Sequence, residues 1–363
     1  HADIAKRIQR ARKDLARTIA FPPRGGQHNQ WYHCDDCEVR LKTIDATHHQ
    51  CPRCKKVYSG YPYDDVLFAR THQRNLRTLL EAAWAWALTR EQPFAARARE
   101  VLVGYAERYL RYPFHGNTKY NIVYARYSGG HLFEQTLNEA VAMSRQIAPA
   151  YDLVCPAPAF SRDDRKQIRE KLFLPMLENI GKHRAGKNNW QTWHNAGMLA
   201  GGVVLGEASW VDRAINERGN GFLWQLDASV SKDGMWYEGS WGYHFYALRA
   251  LVLTAEAARR IGIDLWHQDR FLRMLTAPAQ STMPNRRLPR FGDDVNSSAF
   301  GKYAFFDPAY AATGRKALRP FTSPRANWRT VLLGLAPASQ DVELPTASVL
   351  FRDIGQAILR VGN

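Results

Sequence analysis

From residue 64 to about residue 285 the sequence reads as one helix after another. In the first of these helices, apolar residues recur every three or four positions, the spacing that forms one apolar face; they are Leu76, Leu79, Leu80, Ala83, Trp84 and Ala87. Further helices are predicted over 93–111, 131–150, 161–182, 192–206, 210–229, 241–261 and 268–278. Helices joined by short polar loops predict an all-α domain, and an (α/α) toroid is the version whose cavity mouth such loops line.

Four of the five cysteines form two Cys-x2-Cys pairs separated by thirteen residues. They are Cys34, Cys37, Cys51 and Cys54. Each pair places two thiolates on one tight turn, and two pairs complete the tetrahedron that zinc prefers. The sequence therefore predicts a structural zinc ion, with two disulfides as the alternative if the protein is exported. A zinc ribbon also occurs in nucleic-acid-binding proteins, but an insert this small in a mostly helical chain favours a role in holding the fold.

These patterns predict a mainly α chain: an incomplete (α/α) toroid with a small zinc-ribbon insert and the start of a C-terminal antiparallel β-sandwich. The β prediction rests on the closing residues ASVLFRDIGQAILRVGN, which read as two short strands around a turn. The predicted segments are an N-terminal helical segment 1–30, the insert 31–63, the toroid 64–335 and the sandwich start 336–363.

The net charge and the aromatic content of the chain indicate which classes of molecule it can bind. Fifty Lys and Arg residues against 34 Asp and Glu give a net charge of +16, which attracts polyanions such as nucleic acid, an anionic membrane or an acidic polysaccharide. The alternative is a solvated basic surface without a specific partner. No apolar stretch is long enough to span a bilayer. Aromatic residues make up 12% of the chain, and aromatic rings stack on sugar faces.

Two segments concentrate residues that carry chemistry. The first, KNNWQTWHNAG, begins at Lys187 and precedes an apolar helix. Adjacent asparagines at a helix start are ordinary caps, but the density of Asn, Trp and His favours a site. The second, DGMWYEGSWGYHFY, begins at Asp233; Ser240 is predicted to cap the next helix, and Tyr243 and Tyr246 lie one turn apart on one face.

The two segments make the chain similar to the heparinase II/III-like and alginate lyase families of polysaccharide lyases. SGGHLFEQTLNEAVAMSRQIAPAYDLV upstream, and LPRFGDD and FRDIGQAILR downstream, extend the resemblance over most of residues 64–363. The zinc ribbon lies outside this pattern. The resemblance implies cleavage of a uronic-acid-containing polysaccharide by β-elimination, with an anionic polysaccharide or oligosaccharide as the partner and neither nucleic acid nor membrane.

The resemblance also implies the roles of individual residues. Elimination removes a weakly acidic proton α to a carboxylate, so a hydrogen-bond donor must offset the carboxylate charge; Asn189 matches the family residue in that role. Tyr243 matches the tyrosine that acts as base, acid or both, with Tyr246 in reserve. The predicted substrate-binding residues are Asn188, Trp190, Trp193, Gln135, Trp236, His244, Tyr246, Arg126 and Arg290.

The chain departs from the family pattern in one respect. Many relatives have His directly after the asparagine pair, whereas Trp190 stands there in this chain. His194, about one helical turn further on, is the predicted substitute, and His244 is the alternative. Some relatives take a second catalytic His from a β-sandwich that this sequence does not reach. Either the chain continues beyond the given sequence, or Tyr243 serves as both base and acid.

Two other functions remain open at this point. A glycoside hydrolase on a similar toroid needs two carboxylates across a cleft, for which Glu238 with Asp233 or Asp293 are available. A non-catalytic binder of polyanions would use the zinc ribbon and the positive field. The substrate class favours a periplasmic or secreted location, whereas a reduced four-thiolate site favours a cytoplasmic one. The sequence identifies neither the polysaccharide nor the oligomeric state.

Overall fold

The computed structural model of this chain describes residues 2–120, 128–294, 300–338 and 345–361, and it is mainly helical. In chain order the α-helices of this described part are α1 (Ala2–Leu15), α2 (Tyr63–Thr89), α3 (Gln92–Arg108), α4 (Thr136–Ala142), α5 (Ala148–Val154), α6 (Arg162–Ile168), α7 (Leu174–Lys182), α8 (Asn189–Leu205), α9 (Ala208–Asn216), α10 (Phe222–Ser229), α11 (Trp241–Arg260), α12 (Asp269–Ser281), α13 (Phe306–Thr313) and α14 (Trp328–Leu332).

Strands form two small antiparallel sheets in the described residues. The first follows the order β1 (Lys42–Thr43), β2 (His49–Gln50), β3 (Val57–Tyr58). The second pairs β4 (Val349–Phe351) with β5 (Gln356–Ile358), so that Val349 lies opposite Ile358. The two short strands predicted for the closing residues are therefore present.

The chain divides into two compact units, each of which is described separately. The N-terminal unit comprises Arg7–Arg184 and Val204–Gly206, and the C-terminal unit comprises His1–Lys6, Ala185–Val203 and Glu207–Asn363. The four segments expected from the sequence, with boundaries at residues 30, 63 and 335, stay a prediction.

Helix α2 shows why the apolar periodicity predicts helices well in this chain. Leu76, Leu79 and Ala83 are buried at the expected three- and four-residue spacing, and Trp86 extends the same face by one turn. Burial of this face stabilises the helix more than the intrinsic propensity of its residues does.

Two helical segments of the N-terminal unit widen locally into a π-helical turn, each just before a proline. Residues Met143–Ile147 join α4 to α5, and Arg169–Phe173 join α6 to α7. The amides of Ala148 and Leu174 donate to the carbonyl five residues back instead of four. Because the next residue in each case is a proline without an N–H, the wider turn lets the helix continue past it.

One segment predicted as a single helix is divided by a loop. The segment 210–229 forms α9 and α10 with a break between them, not one helix. Gly219 adopts a φ of +85°, a conformation that ends a helix and favours glycine. A Cβ at Gly221 would lie 2.7 Å from the carbonyl oxygen of Ile215, so this turn also needs a residue without a side chain. Helices α13 and α14 lie after residue 285, where the sequence predicted no helix.

Among the described residues, no helix is both long enough and apolar enough to cross a bilayer.

A buried carboxylate organises the core of the N-terminal unit. The side chain of Glu139 on α4 is fully buried and accepts hydrogen bonds from the Tyr109 hydroxyl (2.7 Å) and the Asn179 amide (2.8 Å). It also accepts the backbone N–H groups of His131 (2.9 Å) and Leu132 (2.8 Å). These four donors replace the water that the carboxylate loses on burial. Glu139 therefore ties the loop before α4 to two helices.

Replacing Glu139 should destabilise this unit strongly. Glu139→Ala leaves four buried donors without their acceptor, so we expect the free energy of unfolding to fall by about 3 kcal/mol. Urea denaturation measures the change, with the exposed Glu170→Ala as the matched control. Equal midpoints for the two variants would contradict this reading of the Glu139 contacts.

Candidate active site

A network of buried amides holds the loop that precedes α8. Gln191 accepts the Ala185 N–H (2.8 Å) and donates to the side chain of Asn195 (2.9 Å). Asn195 donates to the Asn220 carbonyl (2.8 Å), and the Asn220 side chain accepts the Gly186 N–H (3.0 Å). Gln191, Asn195 and Asn220 are all buried. Since buried amides need fixed partners, the loop and the start of α8 are held in one position.

The two adjacent asparagines at the start of α8 have different environments. Asn188 is half-buried, and its side-chain oxygen accepts the Trp190 N–H (2.9 Å), as a helix cap does. Asn189 is 6% exposed, and its Nδ2 donates to both carboxylate oxygens of Glu238, at 3.1 and 2.8 Å. The Asn188 side chain is thus engaged as a helix cap, which leaves it less available for the predicted substrate contact. The Asn189 amide instead connects α8 to a second loop, which carries Glu238.

That second loop carries Glu238 and is itself tightly built. Val230 and Trp236 form an antiparallel bridge, and between them Gly234 has a φ of +90°. A Cβ at Gly234 would lie 2.5 Å from the backbone of Arg273, so only glycine fits there. The fully buried Trp236 donates its indole N–H to Glu238 Oε2 at 2.6 Å. Trp236 therefore supports Glu238 from the core, and its predicted substrate contact would require it to leave this packing.

Tyr243 lies in the first turn of α11, immediately after this loop. Ser240 caps the helix as predicted, accepting the Tyr243 N–H at 3.3 Å. The buried carboxylate of Asp294 accepts the N–H groups of Trp241 and Gly242, both at 2.8 Å. A carboxylate in this position satisfies the unpaired N–H groups of the helix start. Tyr243 itself stays 39% exposed, so its phenol is accessible to a ligand.

Three other aromatic residues of the same unit, Tyr246, Trp193 and Trp190, are more buried than Tyr243. The ring centroid of half-buried Tyr246 lies 5.3 Å from that of Trp193, which is 1% exposed. Such a pair packs as core. Trp190 is half-buried and keeps part of its surface accessible. Of the three residues, Trp190 and Tyr246 have surface that a sugar ring can contact.

Both histidines predicted as substitutes are buried in the C-terminal unit. His194 is 1% exposed on α8. His244 is fully buried; it accepts the Trp236 N–H at Nδ1 (3.4 Å), and its Nε2 lies 3.1 Å from the Met274 carbonyl. Burial lowers the pKa of His244 to about 3, so it is neutral and donates to that carbonyl. The placement of His244 argues against a direct substrate contact.

The remaining predicted substrate residues differ in their surroundings. Gln135 precedes α4 in the N-terminal unit and is half-buried. Arg290 is exposed, and its Nε donates to the Asp294 carbonyl at 2.9 Å. Arg126 lies outside the described residues.

Sequence reasoning gave no role to Tyr237 or Asp294. Tyr237 is 41% exposed and donates its hydroxyl to the Lys187 carbonyl at 3.0 Å. The Lys187 ammonium lies 4.6 Å from the centre of the Tyr237 ring. Partial burial and the nearby Glu238 charge raise the pKa of Tyr237. This contact joins the same two loops as the Asn189–Glu238 hydrogen bonds, and no local pattern in the sequence indicates that the loops meet.

The four paired cysteines are gathered in the N-terminal unit. Their sulfur atoms all lie within 4.8 Å of one another, and Cys34 Sγ lies 3.7 Å from Cys54 Sγ. Tetrahedral zinc with Zn–S bonds of about 2.3 Å requires sulfur atoms about 3.8 Å apart. The donor set and its spacing therefore fit a metal ion.

The backbone of the two cysteine turns repeats the same arrangement. The Glu38 N–H donates to the Cys34 carbonyl (2.9 Å), and the Lys55 N–H donates to the Cys51 carbonyl (3.1 Å). Glu38 and Lys55 both adopt positive φ, at 55° and 66°. Non-glycine residues rarely take this conformation, so its occurrence in both turns marks them as a matched pair.

Comparison with known proteins identifies similar sequences and folds. The family model described as alginate lyase matches residues 27–285. An alginate lyase from Stenotrophomonas maltophilia is 32% identical over 52% of this chain, and an exo-oligoalginate lyase from Saccharophagus degradans is 29% identical over 57%. These matches span only 25% and 27% of the two relatives' own lengths.

Solved structures share the fold at low sequence identity. An alginate lyase from Bacteroides ovatus has a TM-score of 0.63 at 12% identity, with 91% of this chain and 92% of that one covered. A heparan sulfate lyase from Pedobacter heparinus has a TM-score of 0.53 at 15% identity, with 93% and 51% covered. This likeness, with the mainly helical content and the small C-terminal sheet, confirms the predicted toroid fold class.

The buried, neutral His244 should make stability depend on pH. Its pKa is about 3 in the folded chain and about 6.5 when unfolded, so only the unfolded state gains a proton as the pH falls below 6.5. The stability that neutral His244 allows is complete above pH 6.5 and is lost toward pH 3, by up to about 1.4 kcal/mol per pH unit.

Denaturation of the wild type and of His244→Gln, at pH values from about 7 to about 4.5, measures how the free energy of unfolding depends on the His244 proton. Glutamine keeps a donor for the Met274 carbonyl but does not titrate. We expect the wild-type stability to fall more steeply with decreasing pH than that of the variant. Parallel curves would contradict a neutral His244.

Proposed function

This chain belongs to the alginate lyase family, and from this premise we propose that it cleaves a uronic-acid-containing anionic polysaccharide by β-elimination. The resemblance seen in the sequence is confirmed by the family match. The observation that carries the proposal is that a fixed Asn189 amide is hydrogen-bonded to Glu238, in the loop that leads into α11 and its accessible Tyr243.

Asn189 is proposed to offset the charge of the substrate carboxylate. Removal of the C5 proton of a uronate places further negative charge on that carboxylate, and a preorganised N–H donor lowers the cost of the charge. The buried amide network and Glu238 hold Asn189 before substrate arrives. The amide therefore needs little reorganisation in the transition state.

Tyr243 is proposed to transfer the protons. As a phenolate it takes the C5 proton; as the resulting phenol it returns a proton to the departing glycosidic oxygen, while the C4–O bond breaks and the C4–C5 double bond forms. One side chain can perform both steps when the two atoms lie on the same side of the sugar. The exposed position of Tyr243 at the start of α11 suits this role. His194, which is buried on α8, stays a predicted catalytic residue.

Glycoside hydrolysis receives less support. Glu238, its main candidate acid, has both oxygens occupied by N–H groups of Asn189 and Trp236. A general acid has to deliver a proton to the glycosidic oxygen, whereas both oxygens of Glu238 face N–H donors of the protein itself. A purely non-catalytic binder gives no role to the fixed Asn189 amide or to the accessible Tyr243 phenol.

The polysaccharide that is cleaved and the cellular location of the protein are two more specific proposals. Alginate is the first chain to test, because the two curated relatives are named for alginate or its oligomers. Glycosaminoglycans are the second class, since a heparan sulfate lyase shares the fold. We propose a periplasmic or secreted location, where such polymers occur.

Ultraviolet absorbance over time tests the reaction type, since elimination alone creates a conjugated double bond. We expect absorbance to rise with alginate or another uronate polymer, and rates to fall by about 100-fold or more in Asn189→Ala and Tyr243→Phe. Asn216→Ala and Tyr310→Phe are the matched controls and should keep the wild-type rate. New reducing ends without absorbance would instead identify a hydrolase.

We also propose that Cys34, Cys37, Cys51 and Cys54 hold a zinc ion that stabilises the insert. Four thiolates at tetrahedral spacing form the closed donor set of structural zinc sites, which leave no position open for substrate. The ion would cross-link the two cysteine turns around the small core of Tyr32, Leu41 and Tyr58.

Elemental analysis and thermal unfolding test this site. We expect zinc in the purified protein, and a lower Tm after chelation or in Cys51→Ser, because metal binding contributes to folding. Cys155→Ser, which changes a cysteine outside the cluster, should keep both the zinc content and the Tm. A metal-free protein whose mass shows two disulfides would contradict the zinc proposal.

A further inference from the structure

We propose that Glu238 is a positioning residue that fixes which side of the Asn189 amide is offered to substrate. The inference rests on the proposed function, since it concerns how Asn189 performs its role. Glu238 is assigned no contact with the reacting atoms.

The chemistry of the donors and the acceptor determines the amide orientation. A carboxylate accepts hydrogen bonds, whereas an asparagine side chain has one accepting oxygen and one donating NH2 group. Asn189 therefore has to turn Nδ2 toward Glu238, as the distances of 2.8 and 3.1 Å show. The opposite orientation would place Oδ1 against the carboxylate, acceptor to acceptor.

Glu238 is in turn held by a side chain that has little freedom to move. Trp236 is fully buried, and its indole N–H lies 2.6 Å from Glu238 Oε2. The bridge from Trp236 to Val230 fixes the backbone beside it. The result is a chain of hydrogen bonds in which Trp236 and Asn189 both donate to Glu238.

This arrangement has a direct consequence for substrate binding. Both carboxylate oxygens of Glu238 lie within hydrogen-bond distance of the same nitrogen of Asn189. We infer that one N–H is shared between the two oxygens, which leaves the second N–H for the substrate carboxylate. Without Glu238 the amide is free to rotate, and in half of its orientations the oxygen would meet the substrate carboxylate with repulsion. The Glu238 carboxylate thereby accepts hydrogen bonds from Asn189 and Trp236 and keeps the NH2 group of Asn189 in a donating position.

The variants Glu238→Gln and Glu238→Asp test this role. Glutamine brings its own NH2 group against either Asn189 or Trp236, so we expect kcat to fall by about 10- to 100-fold with KM changed less than about threefold. Aspartate keeps two accepting oxygens and should recover part of the lost kcat. The matched control is Glu256→Gln on the same unit, which should keep the wild-type kcat.

The pH profile separates positioning from acid–base catalysis by Glu238. A positioning residue lowers the whole profile without changing its shape, whereas loss of a general acid or base removes one limb. A missing limb in Glu238→Gln, or a kcat equal to the wild type, would overturn the inference. If Asn189→Ala keeps full activity, the proposed role of Asn189 fails instead, and the two failures are thus distinguishable.

A measurement that needs no turnover completes the test. In 15N-resolved NMR spectra the side-chain NH2 of Asn189, identified by its loss in Asn189→Ala, should show one proton shifted downfield by the carboxylate. We expect that shift to disappear in Glu238→Gln while the thermal unfolding midpoint stays close to that of the wild type. Unchanged amide signals would contradict the proposed orientation.

Discussion

The buried hydrogen-bonded amides at the start of α8 are the constraint on which the candidate site depends. Gln191, Asn195 and Asn220 lie away from water and satisfy one another and the backbone of the preceding loop. Such a network is stable only when each member has its partner, so it permits one loop position. Asn189 begins the helix at that position, and Glu238 connects it to the loop before Tyr243.

The fold was largely predictable because it is governed by periodic burial. The apolar spacing in α2 and the cap at Ser240 are local signals, and both led to the observed elements. The departures from the predicted helices also have local causes, but these causes are harder to recognise in the sequence. Two prolines produce π-helical turns where an unbroken helix was expected, and the closely packed glycine at 221 divides the segment predicted as one helix.

The candidate site was predictable only as a set of residues, not as an arrangement. Sequence patterns and family resemblance pointed to Asn189 and Tyr243, but burial decides what their neighbours do. His244 and Trp236 carry groups typical of a binding site, yet both are enclosed in the core. Asp294, fifty-three residues after Trp241 in the chain, supports the start of α11 through a long-range contact that no local spacing encodes.

The masses of the products formed from one defined uronate oligosaccharide test the central claim of β-elimination most directly. Elimination adds no water, so the two fragments of a single cleavage should sum to the mass of the intact oligosaccharide. The account predicts this equality, with the new double bond in the non-reducing terminal residue of the fragment that comes from the reducing side of the cleaved bond. Fragments whose masses exceed the intact chain by one water would show hydrolysis and contradict the account.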